Sequence, residues 1–252
     1  MTSDLLASLE QFVASRRDRD DVELEMRLGN RSDAFRAGVP RYVFEQLERD
    51  LVQSPDLVAD PGYAEVVDYF YTLPEGTNVR TRVHYDSVAM RLATEHVSKQ
   101  VLHSLVAAVS SDPGDTCRVE VSRELVVEAP PPSTLINYVR VKQRRSFVDR
   151  RDEEGDVWRY ELSRTWSGIT RDAVEYNQHN SEPTYEVECE LVDAAGAYLR
   201  ARTDARVAAS LHLKLLMLLG HDDPSTPLEV VCAHQKNDAR RSKGKRPRHQ
   251  SC

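Results

Sequence analysis

The apolar positions of this chain recur at two spacings, and the spacing changes along its length. Within residues 4–17, Leu5, Leu6, Leu9, Phe12 and Val13 return at helical spacing, which predicts an N-terminal helix. A strand follows, VELEMRLG from Val22 to Gly29. A second helix, PRYVFEQLERDLVQS, opens at Pro40, where the first turn needs no N–H. From about Tyr63 to Leu191 the period falls to two, and short polar turns separate the runs. Strands are predicted over 63–73, 78–85, 87–95, 97–109, 116–128, 135–148, 157–167 and 184–192. The stretch TRDAVEYNQHNSEP before the last of these reads as irregular. A final helix over 204–219 carries Ala208, Leu211, Leu215 and Leu218 on one face and stops at Gly220. Residues 1–220 read as one domain and 221–252 as a tail.

The polar positions of the strands carry the argument. Successive side chains on a strand point to opposite faces. In VELEMRL, Val22, Leu24, Met26 and Leu28 share one face, and Glu23, Glu25 and Arg27 the other. In YEVECEL, Tyr185, Val187, Cys189 and Leu191 stand against Glu186, Glu188 and Glu190. In YVRVKQR, Tyr138, Val139 and Val141 alternate with Arg140, Lys142 and Arg144, apart from a register shift at the start. Arg118, Glu120, Ser122 and Glu124 share a face, as do Arg159, Glu161 and Ser163 opposite Trp158, Tyr160, Leu162 and Trp166. Arg80 and Arg82 add two cations.

For any single strand, one polar face means a sheet wetted on that side. Here the charges sort by strand, with carboxylates on one pair and cations on another. Three glutamates at i, i+2 and i+4 repel one another unless something cationic faces them. A closed barrel with its apolar face outward, under helices and loops, brings the two kinds of strand together around a lumen. The expected fold is α+β, mainly β: a closed antiparallel β-barrel of about eight strands with flanking helices.

Composition sharpens this picture. Hydrophobic residues make up 40% of the chain and charged residues 30%, and the strand interiors account for much of that charge. A net charge of −7 argues against a protein that coats nucleic acid nonspecifically. No run of 18 apolar residues exists, so no membrane partner is expected. The N-terminus lacks the apolar core of a secretory signal, and Cys117, Cys189, Cys232 and Cys252 show no zinc-type pairing. A reducing intracellular compartment is expected. The run KNDARRSKGKRPR, from Lys236 to Arg248, reads as a disordered solvated tail, with a nuclear address or an RNA-docking arm as the other reading. His84, His96 and His103 have no ligand spacing, and Trp158 and Trp166 read as outer packing.

The lumen so built has a definite chemistry. Glu23 and Glu25 project together, and a neighbouring glutamate strand completes a set of hard oxygens that suits Mg²⁺ or Mn²⁺. Arg140, Lys142 and Arg144 form a row of cations opposite. A ligand bridging both is polyanionic, and a triphosphate fits. Phosphoryl transfer needs mainly positioning and charge neutralisation, with a carboxylate to orient or deprotonate water. The sequence holds no P-loop, HExxH, GxSxG or Gly-rich dinucleotide loop.

Over residues 20–220 the chain resembles the metal-dependent RNA 5′-triphosphatases of mRNA capping from fungi, protozoa and large DNA viruses. These belong to the triphosphate tunnel metalloenzymes, and the likeness is greatest to the compact trypanosomatid form. The motifs are ELEMRLG (Glu23 to Gly29), RVEVSRE (118–124), RVKQR (140–144), ELS (161–163) and EVECE (Glu186 to Glu190). The resemblance implies Glu23, Glu25 and Glu190 as metal ligands. It implies Arg80 or Arg82, Lys99, Arg118, Arg140, Lys142 and Arg144 as the phosphate grip. Glu124 would position or activate water, with Glu188 and Arg144 beside it in the catalytic set. Arg27, Glu120, Glu161, Ser163 and Glu186 would line the tunnel, Glu161 and Ser163 standing where an aspartate and a threonine are more usual.

The implied reaction cleaves the β–γ anhydride of triphosphate-ended RNA without a covalent intermediate, the first step of capping, in the nucleus. Free nucleoside triphosphates are expected as substrates with manganese. The next step falls to a separate guanylyltransferase, whose motifs the chain lacks. The ExExR motif also occurs, in variant form, in tunnel enzymes for thiamine triphosphate or polyphosphate. A tunnel hydrolase of inorganic tripolyphosphate or another triphosphate, and a noncatalytic polyanion-binding barrel, are therefore the other two readings.

Overall fold

The alternation of apolar and charged residues closes a sheet into a ring. The computed structural model describes residues 7, 9–11, 13–14, 22–31, 35–86, 89–108, 116–149, 158–192, 203–220 and 229–235. In chain order the elements are β1 (Val22–Arg31), β2 (Phe35–Ala37), α1 (Arg41–Gln53), β3 (Leu57–Ala59), β4 (Ala64–Thr72), β5 (Asn78–Asp86) and β6 (Arg91–Ala108). They continue with β7 (Thr116–Val126), β8 (Ile136–Asp149), β9 (Trp158–Gly168), α2 (Arg171–Asn180), β10 (Thr184–Leu191), α3 (Asp204–Leu218) and β11 (Glu229–Gln235). Hydrogen-bonded neighbours run β10-β9-β8-β4-β5-β6-β7-β1, and β1 also pairs with β10, so eight antiparallel strands close on themselves. Closure leaves no edge along these strands. The short strands β2, β3 and β11 add to β1, β8 and β6 from outside the ring.

The core lies outside the barrel. Leu24, Met26 and Leu28 of β1, Val119 and Val121 of β7, Trp158, Tyr160 and Leu162 of β9, and Val187, Cys189 and Leu191 of β10 pack in one cluster. Phe44 and Leu51 of α1 and Val207, Leu211 and Leu215 of α3 cover them. Burying each such side chain contributes about 1.5–3 kcal/mol, so this layer drives closure. A second cluster, Val67, Val139 and Val141 under Val174 of α2, covers the far side. Leu9 and Val13 are buried in the first cluster; of the helix predicted over 4–17, residues 7, 9–11, 13 and 14 are helical and the others lie outside the described residues.

The structure departs from the sequence reading in four places. The strands predicted over 87–95 and 97–109 are one strand, β6, which starts only at Arg91 after Met90 turns the chain with φ 53°. A bulge between Val101 and His103 shifts its register against β7, so Leu102 still reaches the core and the strand continues. The stretch read as irregular contains α2, capped by Thr170, whose hydroxyl accepts from Ala173 N at 3.2 Å. Its only buried residue is Val174, which is why no apolar period announces it. Strands β2 and β3 are too short to show a period of two. Residues 229–235, inside the predicted tail, form β11 against β6, while the basic run 236–248 lies outside the described residues. Among the described residues, no helix is long and apolar enough to cross a membrane.

Gly29 sits where β1 meets β2. A Cβ there would run into the Arg36 carbonyl and stand 2.6 Å from the Phe35 ring, which in turn lies 4.8 Å from the Arg118 guanidinium. Gly29→Ala is expected to lower stability by about 1–3 kcal/mol, the usual range for overpacking, read as a lower urea midpoint. An unchanged midpoint would show that β2 is free to move away.

Candidate active site

The inward faces of the eight strands form an ionic lattice. On β1, Glu25 is buried and pairs with Arg27, whose guanidinium also reaches Glu188 at 3.4 Å. The Lys99 ammonium, from β6, lies 2.6 Å from Glu23, 2.9 Å from Glu25 and 3.8 Å from Glu124. Ser122 donates to Glu23 at 3.2 Å. The ladders set Glu25 directly opposite Glu190 of β10 on one side and Glu120 of β7 on the other. Three carboxylates thus meet on adjacent strands, and cations arriving from other walls reduce the repulsion of like charges placed face to face.

The cationic wall belongs to β8. Lys142 is 1% exposed, with Glu186 at 2.7 Å and Glu188 at 3.1 Å. Arg144 lies 2.9 Å from Glu161, and Arg159 joins Glu190 at 2.7 Å and Glu161 at 3.1 Å. Arg80 of β5 donates to Glu124 at 3.1 Å, and Arg118 lies 2.6 Å from Glu120. Arg82 and Arg140 converge on the fully buried Asp68 at 2.8 and 2.9 Å. Ser163 is buried between Glu186 and Arg144 on the flanking strands, its hydroxyl without a partner among the described residues. The residues singled out from the sequence therefore share the lumen in neighbouring ion-pair groups: one around Lys99, Arg27 and Lys142, one of Arg144, Arg159, Glu161 and Glu190, and the smaller Arg82–Asp68–Arg140 and Arg118–Glu120 sets. Cys189, Trp158 and Trp166 pack outside it.

Two members of the lattice were not singled out. Asp68 had a signal, as the sole charge within the otherwise apolar and aromatic run VVDYF. Arg159 shares a face with Glu161, yet lay outside the motifs. Tyr138, grouped with the outer residues from sequence, stands on the Arg140 face, opposite and stacked on Phe70.

Burial and neighbours set the proton affinities. Burial raises the Glu190 carboxyl, the Glu23 and Glu161 charges add to this against Arg159, and its pKa rises to about 7. Burial also disfavours the Glu25 and Glu188 carboxylates. For Glu25, Arg27 and Lys99 outweigh it, and for Glu188, Arg27, Lys142 and Arg144 do, so both stay ionised below the usual range. Burial opposes the charge of Lys99, but Glu25 and Glu23 hold it protonated well above the ordinary lysine value.

This donor set suits a hard divalent cation. Glu23, Glu25 and Glu190 offer only carboxylate oxygens, and Glu23 stands close enough to Glu190 to repel its charge. Lys99 and Arg159 neutralise these carboxylates in this arrangement, and among the described residues no three His, Cys, Asp or Glu side chains are grouped as a metal cage. A cation at these glutamates must displace the Lys99 ammonium. The opposite wall asks for an anion. The Nε atoms of Arg80, Arg140 and Arg144 are buried without an acceptor among the described residues.

The sequence matches no protein-family profile and no curated protein sequence. The fold does find relatives. S. pombe Pct1 RNA triphosphatase superposes with a TM-score of 0.61 at 16% identity, covering 88% of this chain and 93% of that one. The same enzyme in complex with the Spt5 CTD gives the same TM-score. The RNA triphosphatase domain of a trifunctional mimivirus mRNA capping enzyme aligns with a TM-score of 0.51 at 10% identity, over 85% of this chain and 96% of that one. The chain therefore has the fold of the RNA triphosphatases of mRNA capping.

Proposed function

We propose that this protein is a metal-dependent RNA 5′-triphosphatase that removes the γ-phosphate of nascent mRNA. The observation that carries this reading is a closed lumen with carboxylates on β1 and β10, facing buried guanidinium groups that still have donors to offer. A triphosphate end spans that gap, and the fold likeness to Pct1 and the mimivirus domain supports the RNA substrate. The motif resemblance to the compact trypanosomatid enzymes points the same way.

Arg80, Arg140, Lys142 and Arg144 bind the phosphate oxygens, with Lys99, Arg82 and Arg118 completing the positive field. Glu186 and Glu188 keep Lys142 in place. Mg²⁺ or Mn²⁺ at Glu23, Glu25 and Glu190 would neutralise charge on the γ-phosphate. Glu124 orients a water molecule and takes its proton as the water oxygen bonds to the γ-phosphorus. The bridging P–O bond breaks, leaving a diphosphate end and orthophosphate. We extend the proposal to free nucleoside triphosphates with manganese, to a nuclear setting and to a separate guanylyltransferase acting next.

The test is orthophosphate release from triphosphate-ended RNA with Mg²⁺, with Mn²⁺ and with a chelator in excess. Metal-dependent release leaving a diphosphate end is expected. Cleavage of inorganic tripolyphosphate without any cleavage of RNA would sink the RNA reading and leave a tripolyphosphatase. Binding of both without release would leave a polyanion-binding barrel.

A further inference from the structure

The polar face of β4 ends in an aromatic ring. Two residues beyond Asp68, Phe70 points to the same side and stands opposite Tyr138 of β8 and Arg80 of β5. The Phe70 and Tyr138 rings stack with centroids 4.2 Å apart and 9° between planes, and the Arg140 guanidinium lies 5.1 Å from the Phe70 centroid. These residues lie at the end of β4 and the start of β8, so the pair sits at the rim of the lumen. Tyr138 is 39% exposed, so part of its ring is open to a ligand. Unbroken register from Asp68↔Arg140 to Phe70↔Tyr138 places it there, two residues from Arg140 on the same face, and the ladder bulges only beyond this pair.

We propose that Phe70 and Tyr138 form a stacking platform for the first nucleobase of the substrate, with Arg80 and Arg140 beside it for the phosphates. This rests on the triphosphatase reading above and adds to it a recognition element for the nucleoside. Phosphate contacts alone cannot tell RNA from tripolyphosphate, whereas an aromatic face at the rim selects a chain end that carries a base. Because every base has a π-face, the platform favours bases in general over any one of them.

The experiment measures affinity by calorimetry for a short triphosphate-ended RNA and for inorganic tripolyphosphate, on the full chain without metal. Wild type, Tyr138→Ala and Tyr138→Phe are compared. The ratio of the two affinities is expected to fall about tenfold in Tyr138→Ala and to hold within about twofold in Tyr138→Phe. Both ligands are measured on the same preparation, so the fraction folded does not enter the ratio. A ratio unchanged in Tyr138→Ala overturns the platform. Wild type that binds RNA no better than tripolyphosphate overturns it too. Failure of the triphosphatase reading shows separately, as RNA bound with the platform signature but never cleaved when metal is added.

Discussion

Glu25→Ala is expected to lower metal-dependent phosphate release on the order of a thousandfold, the loss that follows removal of a preorganised electrostatic contact from a buried site. The size follows from its position. Glu25 is 5% exposed, pairs with Arg27 and Lys99 at once, and faces both Glu190 and Glu120 across the ladders. Removing it takes away a proposed metal ligand and also frees Lys99 and Arg27 to move toward other carboxylates. Glu25→Gln separates charge from shape, because the amide fills the same space without the charge. It should lose nearly as much activity while keeping more stability than alanine. Release is followed at several Mg²⁺ concentrations, since a lost ligand weakens metal binding as well as turnover. A Glu25→Ala protein that keeps most of the wild-type rate would remove Glu25 from the metal site and leave the activity itself intact.

Much of this arrangement was legible because a barrel imposes its rule on every strand. A strand with one face in the core and the other in a lumen must alternate, and β1, β8, β9 and β10 do so along most of their length. Charge sorting by strand then exposed the lumen, since no single wetted sheet explains Glu186, Glu188 and Glu190 together. What stayed hidden was local. The bulge in β6 inserts Leu102 and inverts the phase inside the second predicted run, while the break predicted at His96 falls within an unbroken ladder to β5. Helix α2 buries little more than Val174 and holds its start with Thr170, a cap rather than a stripe. Tyr138 was grouped with the outer residues across a register shift, yet it stands two residues before Arg140 in an unbroken ladder and so on the Arg140 face, where it stacks on Phe70. Asp68 was missed for a related reason: the motifs drew attention to strands rich in charge, and its strand has one buried charge among apolar neighbours.

That residue carries the largest expected effect on stability. Asp68 is fully buried and is the shared counter-charge of Arg82 and Arg140. Asp68→Asn keeps the size of the side chain but leaves two guanidinium groups in the lumen wall without their carboxylate. Removing one partner of a buried ion pair costs about 3–5 kcal/mol. The lower part of that range is expected, because the Arg82 and Arg140 side chains remain 17% and 16% exposed. The measurement is urea unfolding of both proteins at neutral pH. The acid limb provides a second readout. Burial raises the Asp68 carboxyl, but Arg82 and Arg140 overcome this and hold its folded pKa below the usual carboxylate value. A depressed pKa stabilises above the unfolded value, about 4, and that contribution is lost as the pH falls toward the folded one. The stability gap between wild type and Asp68→Asn should therefore be widest near neutrality and narrow in acid. A gap that stays constant with pH would mean that Asp68 acts through its shape and hydrogen bonds, and that the two arginines find their counter-charge elsewhere in the lattice.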